Sequence, residues 1–283
     1  MEQQSIQREE WNSKLGFILA AVGSAVGLGN LWGFAYRSSQ GGGAAFVILY
    51  IFVVLVVGIP IFVAEFSLGR STNTSAVLAP IKAAGKKWSA LGFLFLIAPL
   101  AIASYYAVIM GWTADIFFQS LIVGLPENTS QAGESFNLIH NGTRDFVGQS
   151  LSLVLAFYIV SGGIRKGIEK LNKICMPILF IILLGLVIWA AFLGNAGEGY
   201  RNFLFDFDLS QLANPTTIRN AFSQAFFSLS LGIGIMITYA SYLNKKSDLT
   251  KQAVQIASLD TAVGLMAGLI TFPIIFTFGL NET

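Results

Sequence analysis

Three carboxylate side chains lie inside long apolar stretches of the sequence: Glu65, Asp115 and Asp260. An ionisable group in the hydrocarbon region of a membrane is costly, so each one is a candidate for ion or substrate binding. Asp260 stands beside Ser258 and Thr261, one-third of the way along its apolar run, and this context favours a cation site. Glu65 lies near the inner end of its run and Asp115 near the outer end, so both are also open to structural interpretations.

Glycines interrupt two of the apolar runs, at residues 23–30 (Gly-Ser-Ala-Val-Gly-Leu-Gly-Asn) and at residues 231–234 (Leu-Gly-Ile-Gly). The second interruption follows Ser228 and Ser230. In hydrocarbon every backbone N–H and C=O group needs a partner, so a helix is broken there only where it lines a cavity or a ligand. Two interrupted spans in corresponding places therefore predict the binding site of a transporter.

The ends of a broken helix have definite electrostatics. A half-helix that begins near Gly29 would present unpaired N–H groups and the positive end of its dipole, which suit a substrate carboxylate. Freed carbonyls and the C-terminal end of the partner half-helix suit an ammonium group or Na⁺. An α-amino acid carries both groups. Oxygen ligands without sulfur or imidazole favour a hard cation over a transition metal.

The elements that must position these residues are membrane spans. With 54% hydrophobic and 11% charged residues, the chain has too little polar surface for a soluble domain of its length. Seven apolar runs can cross a bilayer, near 15–36, 44–68, 89–123, 149–164, 174–196, 219–243 and 252–280. Lysine and arginine are concentrated at the N-terminus and in the loops 70–88, 165–173 and 244–251. This bias predicts one multi-pass domain over residues 1–283, in the plasma membrane, with a cytoplasmic N-terminus.

Ordered motifs lie at 8–11, 23–32, 58–70, 166–170, 226–232 and 238–242. Together they resemble the neurotransmitter:sodium symporter family, in its bacterial amino-acid transporter branch with the LeuT fold. The resemblance implies an all-α membrane protein with two inverted five-helix repeats, about seven transmembrane helices here, and breaks in helices 1 and 6. Residues 15–196 would form the first repeat and 219–280 part of the second. Relative to this family, the chain looks truncated after its seventh helix.

The resemblance also implies site residues at the two breaks and on the third and seventh helices. The substrate pocket would be lined by Ser24, Ala25, Gly27, Leu28, Gly29, Ile102, Tyr106, Phe227, Ser228, Ser230 and Ile233. One sodium ion would be held by Ala25, Asn30, Ser228 and Asp260, together with the substrate carboxylate. A second would take backbone carbonyls from Gly23 and Val26. Because monoamine-carrying members have an aspartate where this chain has Gly27, the substrate should supply its own carboxylate.

The same resemblance implies a gate at each end of the site. Arg8 and Trp11 resemble the cytoplasmic gate, which Tyr242 would close from the sixth helix. On the outer side the family's Arg-Phe-Pro reads Gly-Phe-Ala at residues 33–35, so the usual gate arginine is missing. Arg37 lies one helical turn further out on the same face, and we expect it to take over the missing charge.

An expectation about chloride comes from Gln224 and Asp260. Gln224 resembles the glutamine beside the sodium and chloride sites of the family. Animal members that need chloride have neutral ligands where this chain has a fixed carboxylate, Asp260. The sequence therefore predicts sodium coupling without a chloride requirement.

The combined prediction is sodium-coupled symport of a neutral, hydrophobic L-amino acid, and not an enzyme, because coupling arises from shared binding alone. The partners would be the amino acid and the lipid bilayer, with no nucleic acid. One alternative is a non-transporting fragment that needs missing C-terminal helices, or a second copy, to function. A seven-span receptor fits less well, since the charge bias puts the N-terminus in the cytoplasm. An intramembrane hydrolase would have only Asp115 and Asp260 as an acid pair.

Overall fold

The computed structural model describes residues 9–126, 128–139 and 142–280, and every regular element within these ranges is helical. The α-helices are α1 (Lys14–Ala25), α2 (Phe34–Gln40), α3 (Ala44–Val53), α4 (Ile59–Thr72), α5 (Ala79–Ala84), α6 (Ser89–Ile122), α7 (Thr129–Ile139), α8 (Gly142–Ser161), α9 (Lys170–Ala191), α10 (Ala196–Leu204), α11 (Leu209–Leu212), α12 (Pro215–Ser228), α13 (Ile235–Ala240) and α14 (Leu249–Thr277). Short π-helical segments occupy Gly29–Gly33, Val54–Gly58 and Ile164–Glu169, and a 3₁₀ turn occupies Lys86–Trp88.

Both glycine-interrupted runs are broken in the structure. Helix α1 ends where Val26 takes an extended conformation (φ −72°, ψ 123°), and the chain resumes as a helix at Gly29 after a bend of 60°. Between α12 and α13 the backbone enters the left-handed region at Ser230, Gly232 and Gly234. Glycine accepts that conformation freely, whereas Ser230 adopts it at a cost of about 1 kcal/mol or more.

Four helices of the described residues are long and apolar enough to cross a membrane: Ala44–Thr72, Lys86–Ile122, Ile164–Ala191 and Leu249–Thr277. The bent pair of Lys14–Ala25 and Gly29–Gln40 passes the same test when its two parts are taken together as one broken span. The other two predicted runs correspond to α8 and to the α12/α13 pair. Helix α8 begins with a polar turn that contains Arg144 and Asp145, and α12 and α13 are each shorter than a full span.

Helix α14 passes through the centre of the bundle and contacts α1, α2, α4, α9 and α10. Small residues on α14 admit large aromatic side chains from its neighbours. A Cβ added at Gly264 would lie 3.2 Å from the Phe34 ring, and Phe34 in turn packs edge-on against Phe46 and Tyr50 with ring centroids 5.6 and 5.0 Å apart. This packing fixes the outer half of the first broken helix against α14, where Asp260 lies.

Candidate functional site

A cavity of about 570 Å³ lies between the two helix breaks and α6. It is lined by Ser24, Ala25, Val26, Gly27, Gly29, Asn30, Pro99, Ile102, Ala103, Tyr106, Ser223, Phe226, Phe227, Ser230, Leu231, Ile233 and Ile235. The set includes every residue predicted for the substrate pocket except Leu28 and Ser228. The first residues of the outer half-helix, Gly29 and Asn30, border the cavity, so the positive end of that helix dipole is directed at it.

The two exceptions have simple geometric reasons. Leu28 is turned away from the main cavity and lines a neighbouring one of about 500 Å³, together with Trp32 and Arg37. Ser228 is 1% exposed and lies behind the cavity wall, where its hydroxyl bonds to Asp260. Ser228 therefore belongs to a polar cluster beside the cavity and does not line it.

The sequence reasoning missed two residues of the α6 wall, Pro99 and Ala103. With Ile102 and Tyr106 they follow the spacing i, i+3, i+4 and i+7, which places all four on one face of a helix. Once Ile102 and Tyr106 are assigned to the pocket, helical periodicity alone could have identified the other two.

The polar cluster consists of Asn30, Ser228 and Asp260, all at most 1% exposed. Asn30 Nδ2 donates to Asp260 Oδ1 at 2.8 Å and to Ser228 Oγ at 2.7 Å, and the Ser228 hydroxyl donates to Asp260 Oδ2 at 2.6 Å. The Asn30 side-chain oxygen accepts the Gly27 N–H at 3.1 Å. The cluster thus joins the first break, the second break and α14 at one point.

The donor chemistry of this cluster suits sodium. Carboxylate, amide and hydroxyl oxygens are hard ligands, and the described residues contain no group of three His, Cys, Asp or Glu side chains that could hold a metal ion. Ala25, the other predicted ligand, borders the adjoining cavity. Of the residues predicted for a second ion, Val26 borders the cavity and Gly23 packs against the Asn172 side chain of α9.

Glu65 and Ser230 form hydrogen bonds with the backbone at the two breaks. Glu65 Oε1 accepts the Gly232 N–H at 2.7 Å, which satisfies a backbone donor that the interrupted helix leaves free. The Ser230 hydroxyl donates to the Ser24 carbonyl at 3.5 Å and so links the two breaks. Asp115 lies elsewhere, in an ion pair with Arg144 at 2.9 Å. The two aspartates that a hydrolase would need therefore have unrelated surroundings.

Trp11 packs against the segment that follows the second helix break. Its indole Nε1 donates to the Tyr239 carbonyl at 2.9 Å, and its backbone N–H donates to the Tyr242 carbonyl at 3.3 Å. The indole also packs edge-on against Phe17 and Tyr239, with ring centroids 5.6 and 5.4 Å apart. Arg8, the other residue predicted for this gate, lies outside the described residues.

Replacing Trp11 by phenylalanine tests this contact in the full-length natural protein. The variant keeps an aromatic ring but loses the hydrogen bond to Tyr239, which is worth about 1 kcal/mol. We expect roughly fivefold faster labelling of a cysteine introduced at the inner side of the cavity. Leu15→Phe, an exposed position one turn along the chain, is the control. Equal labelling of the parent and Trp11→Phe would contradict a gating role.

Gln224 links Arg37 to the first helix break. Arg37 Nη1 donates to Gln224 Oε1 at 2.7 Å, and Gln224 Nε2 donates to the Gly29 carbonyl at 2.9 Å. Gln224 is fully buried, whereas Arg37 is half-buried and borders the outer cavity. A Cβ added at Gly33 would lie 3.8 Å from the same Gln224 oxygen, so the Arg37 guanidinium and position 33 approach one point.

Removing this charge should speed the release of substrate to the outside. A hydrogen bond to a charged group contributes about 1.5–3 kcal/mol, so Arg37→Ala should raise the outward dissociation rate of labelled substrate by about tenfold or more. Arg219→Ala removes an exposed arginine from α12 and is the matched control. An unchanged dissociation rate in Arg37→Ala would remove the proposed gate.

Comparison with known proteins agrees with this architecture. The family model described as "Sodium:neurotransmitter symporter family" matches residues 8–138 and 139–279. An uncharacterized sodium-dependent transporter of Methanocaldococcus jannaschii is 42% identical over 277 residues, covering 94% of this chain and 56% of the relative. The uncharacterized sodium-dependent transporter YhdH of Bacillus subtilis is 36% identical over 284 residues, covering 99% of this chain and 62% of the relative.

Among solved structures, the crystal structure of MhsT in complex with L-phenylalanine matches with a TM-score of 0.88 and 44% sequence identity. The match covers 96% of this chain and 62% of MhsT, so the chain spans less than two thirds of the length of these proteins. The likeness confirms the predicted all-α membrane fold of the LeuT type. The family and the fold are those of a transporter, which points away from an enzyme.

Proposed function

We propose that this chain, which belongs to the sodium:neurotransmitter symporter family, binds substrate and sodium in a sodium-coupled symporter for a neutral, hydrophobic L-amino acid. One observation carries the proposal: a largely apolar cavity lies between two broken helices and directly beside the buried cluster of Asn30, Ser228 and Asp260. The sodium-dependent relatives and the L-phenylalanine bound to MhsT support both the ion and the substrate class.

In this proposal the carboxylate of the amino acid lies at the first break, against the N-terminal end of the helix that starts at Gly29. Ile102, Phe227 and Ile233 would surround its side chain. Sodium would lie between the Asp260 cluster and the substrate carboxylate, so that each ligand completes the site of the other. Each positive charge that crosses 100 mV then contributes about 2.3 kcal/mol to accumulation.

The proposal has three further parts. Because Asp260 supplies a fixed negative charge beside the sodium, transport should not require chloride. The carbonyls of Gly23 and Val26 would serve as ligands of a second sodium ion. Residues 15–196 would form one repeat and 219–280 part of an inverted second one, in the plasma membrane with the N-terminus in the cytoplasm, as the loop charges favour.

Binding measurements on the full-length natural protein test the central claim. Labelled L-phenylalanine, L-leucine, L-glutamate and L-lysine would each be titrated in sodium and in choline. We expect saturable binding of the first two in sodium only, since the cavity wall described here carries no free charge to match a charged side chain. Sodium-independent binding, or a preference for glutamate or lysine, would overturn the proposed function.

A further inference from the structure

A groove of about 410 Å³ lies at the opposite end of α8 from its polar turn, where the chain turns into the π-helical start of the α9 span. The floor of the groove is formed by backbone atoms, because Gly162 and Gly167 let the two segments approach closely. A Cβ added at Gly162 would lie only 3.1 Å from the Gly167 backbone. The wall combines two lysines, Lys166 and Lys170, with apolar side chains. This groove is remote from the cavity between the helix breaks, and the proposed transport cycle does not use it.

Of the four basic side chains at this turn, two form bonds within the protein and two do not. Arg165 Nε donates to the Glu10 carbonyl at 2.6 Å, and Lys173 forms an ion pair with Glu169 at 2.6 Å. Lys166 and Lys170, one turn apart and both exposed, have no hydrogen bond or ion pair from their side chains within the described part of the chain. Neither charge is paired within the residues that the structure describes, and both side chains border the groove.

Two nearby carboxylates, Glu9 and Glu169, are bonded to other groups and not to these lysines. Glu9 accepts the N–H groups of Ile164 and Arg165 at 3.1 and 3.3 Å. Glu169 is 1% exposed and accepts the Asn12 N–H at 2.8 Å in addition to its ion pair. The turn thus keeps its acidic groups on the side of the N-terminal segment, and the groove side is positive.

The rest of the groove wall is apolar and exposed. Tyr158, Leu171 and Ile174 are 76%, 39% and 55% exposed, and they continue from the lysines toward the hydrophobic part of α9. A wall that changes from cationic to apolar over one or two helical turns matches a lipid molecule at a membrane surface. A soluble anion would leave the apolar part uncovered.

We propose that this groove binds one anionic phospholipid, with the headgroup phosphate between Lys166 and Lys170 and an acyl chain along Tyr158, Leu171 and Ile174. The inference rests on the proposed cytoplasmic position of the 165–173 loop, because the cytoplasmic leaflet carries the anionic lipids and basic pockets between spans on that side bind their headgroups. Bound lipid would tie the end of α8 to the start of the α9 span, next to the backbone that holds Glu9.

The test is native mass spectrometry of the full-length natural protein, titrated in parallel with phosphatidylglycerol and phosphatidylcholine. We expect one tightly retained phosphatidylglycerol and no comparable phosphatidylcholine. In the double variant Lys166→Gln/Lys170→Gln the retained phosphatidylglycerol should bind about 25-fold more weakly, roughly fivefold for each lysine near an anionic surface. Lys245→Gln/Lys246→Gln removes the same charge from another loop on the same side and should leave retention unchanged.

Three results would overturn the proposal. Equal losses in the two double variants would mean general attraction to a basic surface. Unchanged retention in Lys166→Gln/Lys170→Gln would place the lipid elsewhere. Displacement of phosphatidylglycerol by millimolar inorganic phosphate would make the site one for soluble anions. None of these readouts depends on transport, so a failure of the lipid proposal is distinguishable from a failure of the proposed function.

Discussion

Sodium affinity should fall by about two orders of magnitude when Asp260 is replaced by serine, and chloride should restore most of it. Asp260 is fully buried, and both of its carboxylate oxygens are bonded, to Asn30 and to Ser228. Removing one partner of a buried charged contact costs about 2–5 kcal/mol. A chloride ion in the space left by the carboxylate would return the missing negative charge next to the sodium.

The measurement is sodium-driven uptake by the full-length natural protein in chloride and in gluconate. The parent should transport equally in both, and Asp260→Ser should regain activity only in chloride. Asp248→Ser removes a carboxylate from the same helix but leaves a residue able to cap it, since Asp248 accepts the Lys251 N–H at the start of α14. This control should behave as the parent does. A parent that already requires chloride would refute the assignment.

Both helix breaks could be predicted from the sequence. Glycines in the middle of a membrane span weaken the helix, and a broken helix is tolerated in hydrocarbon only where it lines a cavity or a ligand. The predicted partners of Asp260 came from family resemblance, and the structure brings Asn30, Ser228 and Asp260 into direct contact. The local sequence pattern could not have predicted this contact, because Asn30 and Asp260 are 230 residues apart in the chain. Only the packing of α14 against the first break brings them together.

Other features could not be read from residue types. Leu28 belongs to the same motif as Gly27, but it faces the outer cavity because the side-chain direction depends on where the outer half-helix starts. The π-helical segments at Val54–Gly58 and Ile164–Glu169 leave no periodicity that distinguishes them from α-helix. The sequence leaves Glu65 open to a functional and a structural interpretation, and its bond to the Gly232 N–H supports the structural one.

The second large effect concerns Gly27, where replacement by aspartate should abolish L-phenylalanine binding and replacement by asparagine should weaken it far less. A Cβ added at Gly27 would lie 3.8 Å from the Tyr106 hydroxyl, an ordinary van der Waals distance. The Cβ of either side chain therefore fits, and asparagine and aspartate have nearly the same size, so their steric costs should be similar. The two variants differ essentially in one negative charge at the edge of the first break.

That charge would stand where we propose the carboxylate of the substrate. Two like charges about 4 Å apart repel by roughly 4 kcal/mol at an effective dielectric constant near 20, which is several hundredfold in affinity. Phenethylamine, which is phenylalanine without its carboxylate, should show the reverse preference and bind the Gly27→Asp protein better than the parent. Competition binding with both compounds in the parent, Gly27→Asn and Gly27→Asp proteins separates charge from size. Equal weakening by asparagine and aspartate, with no gain for the amine, would mean that the substrate carboxylate lies elsewhere in the cavity.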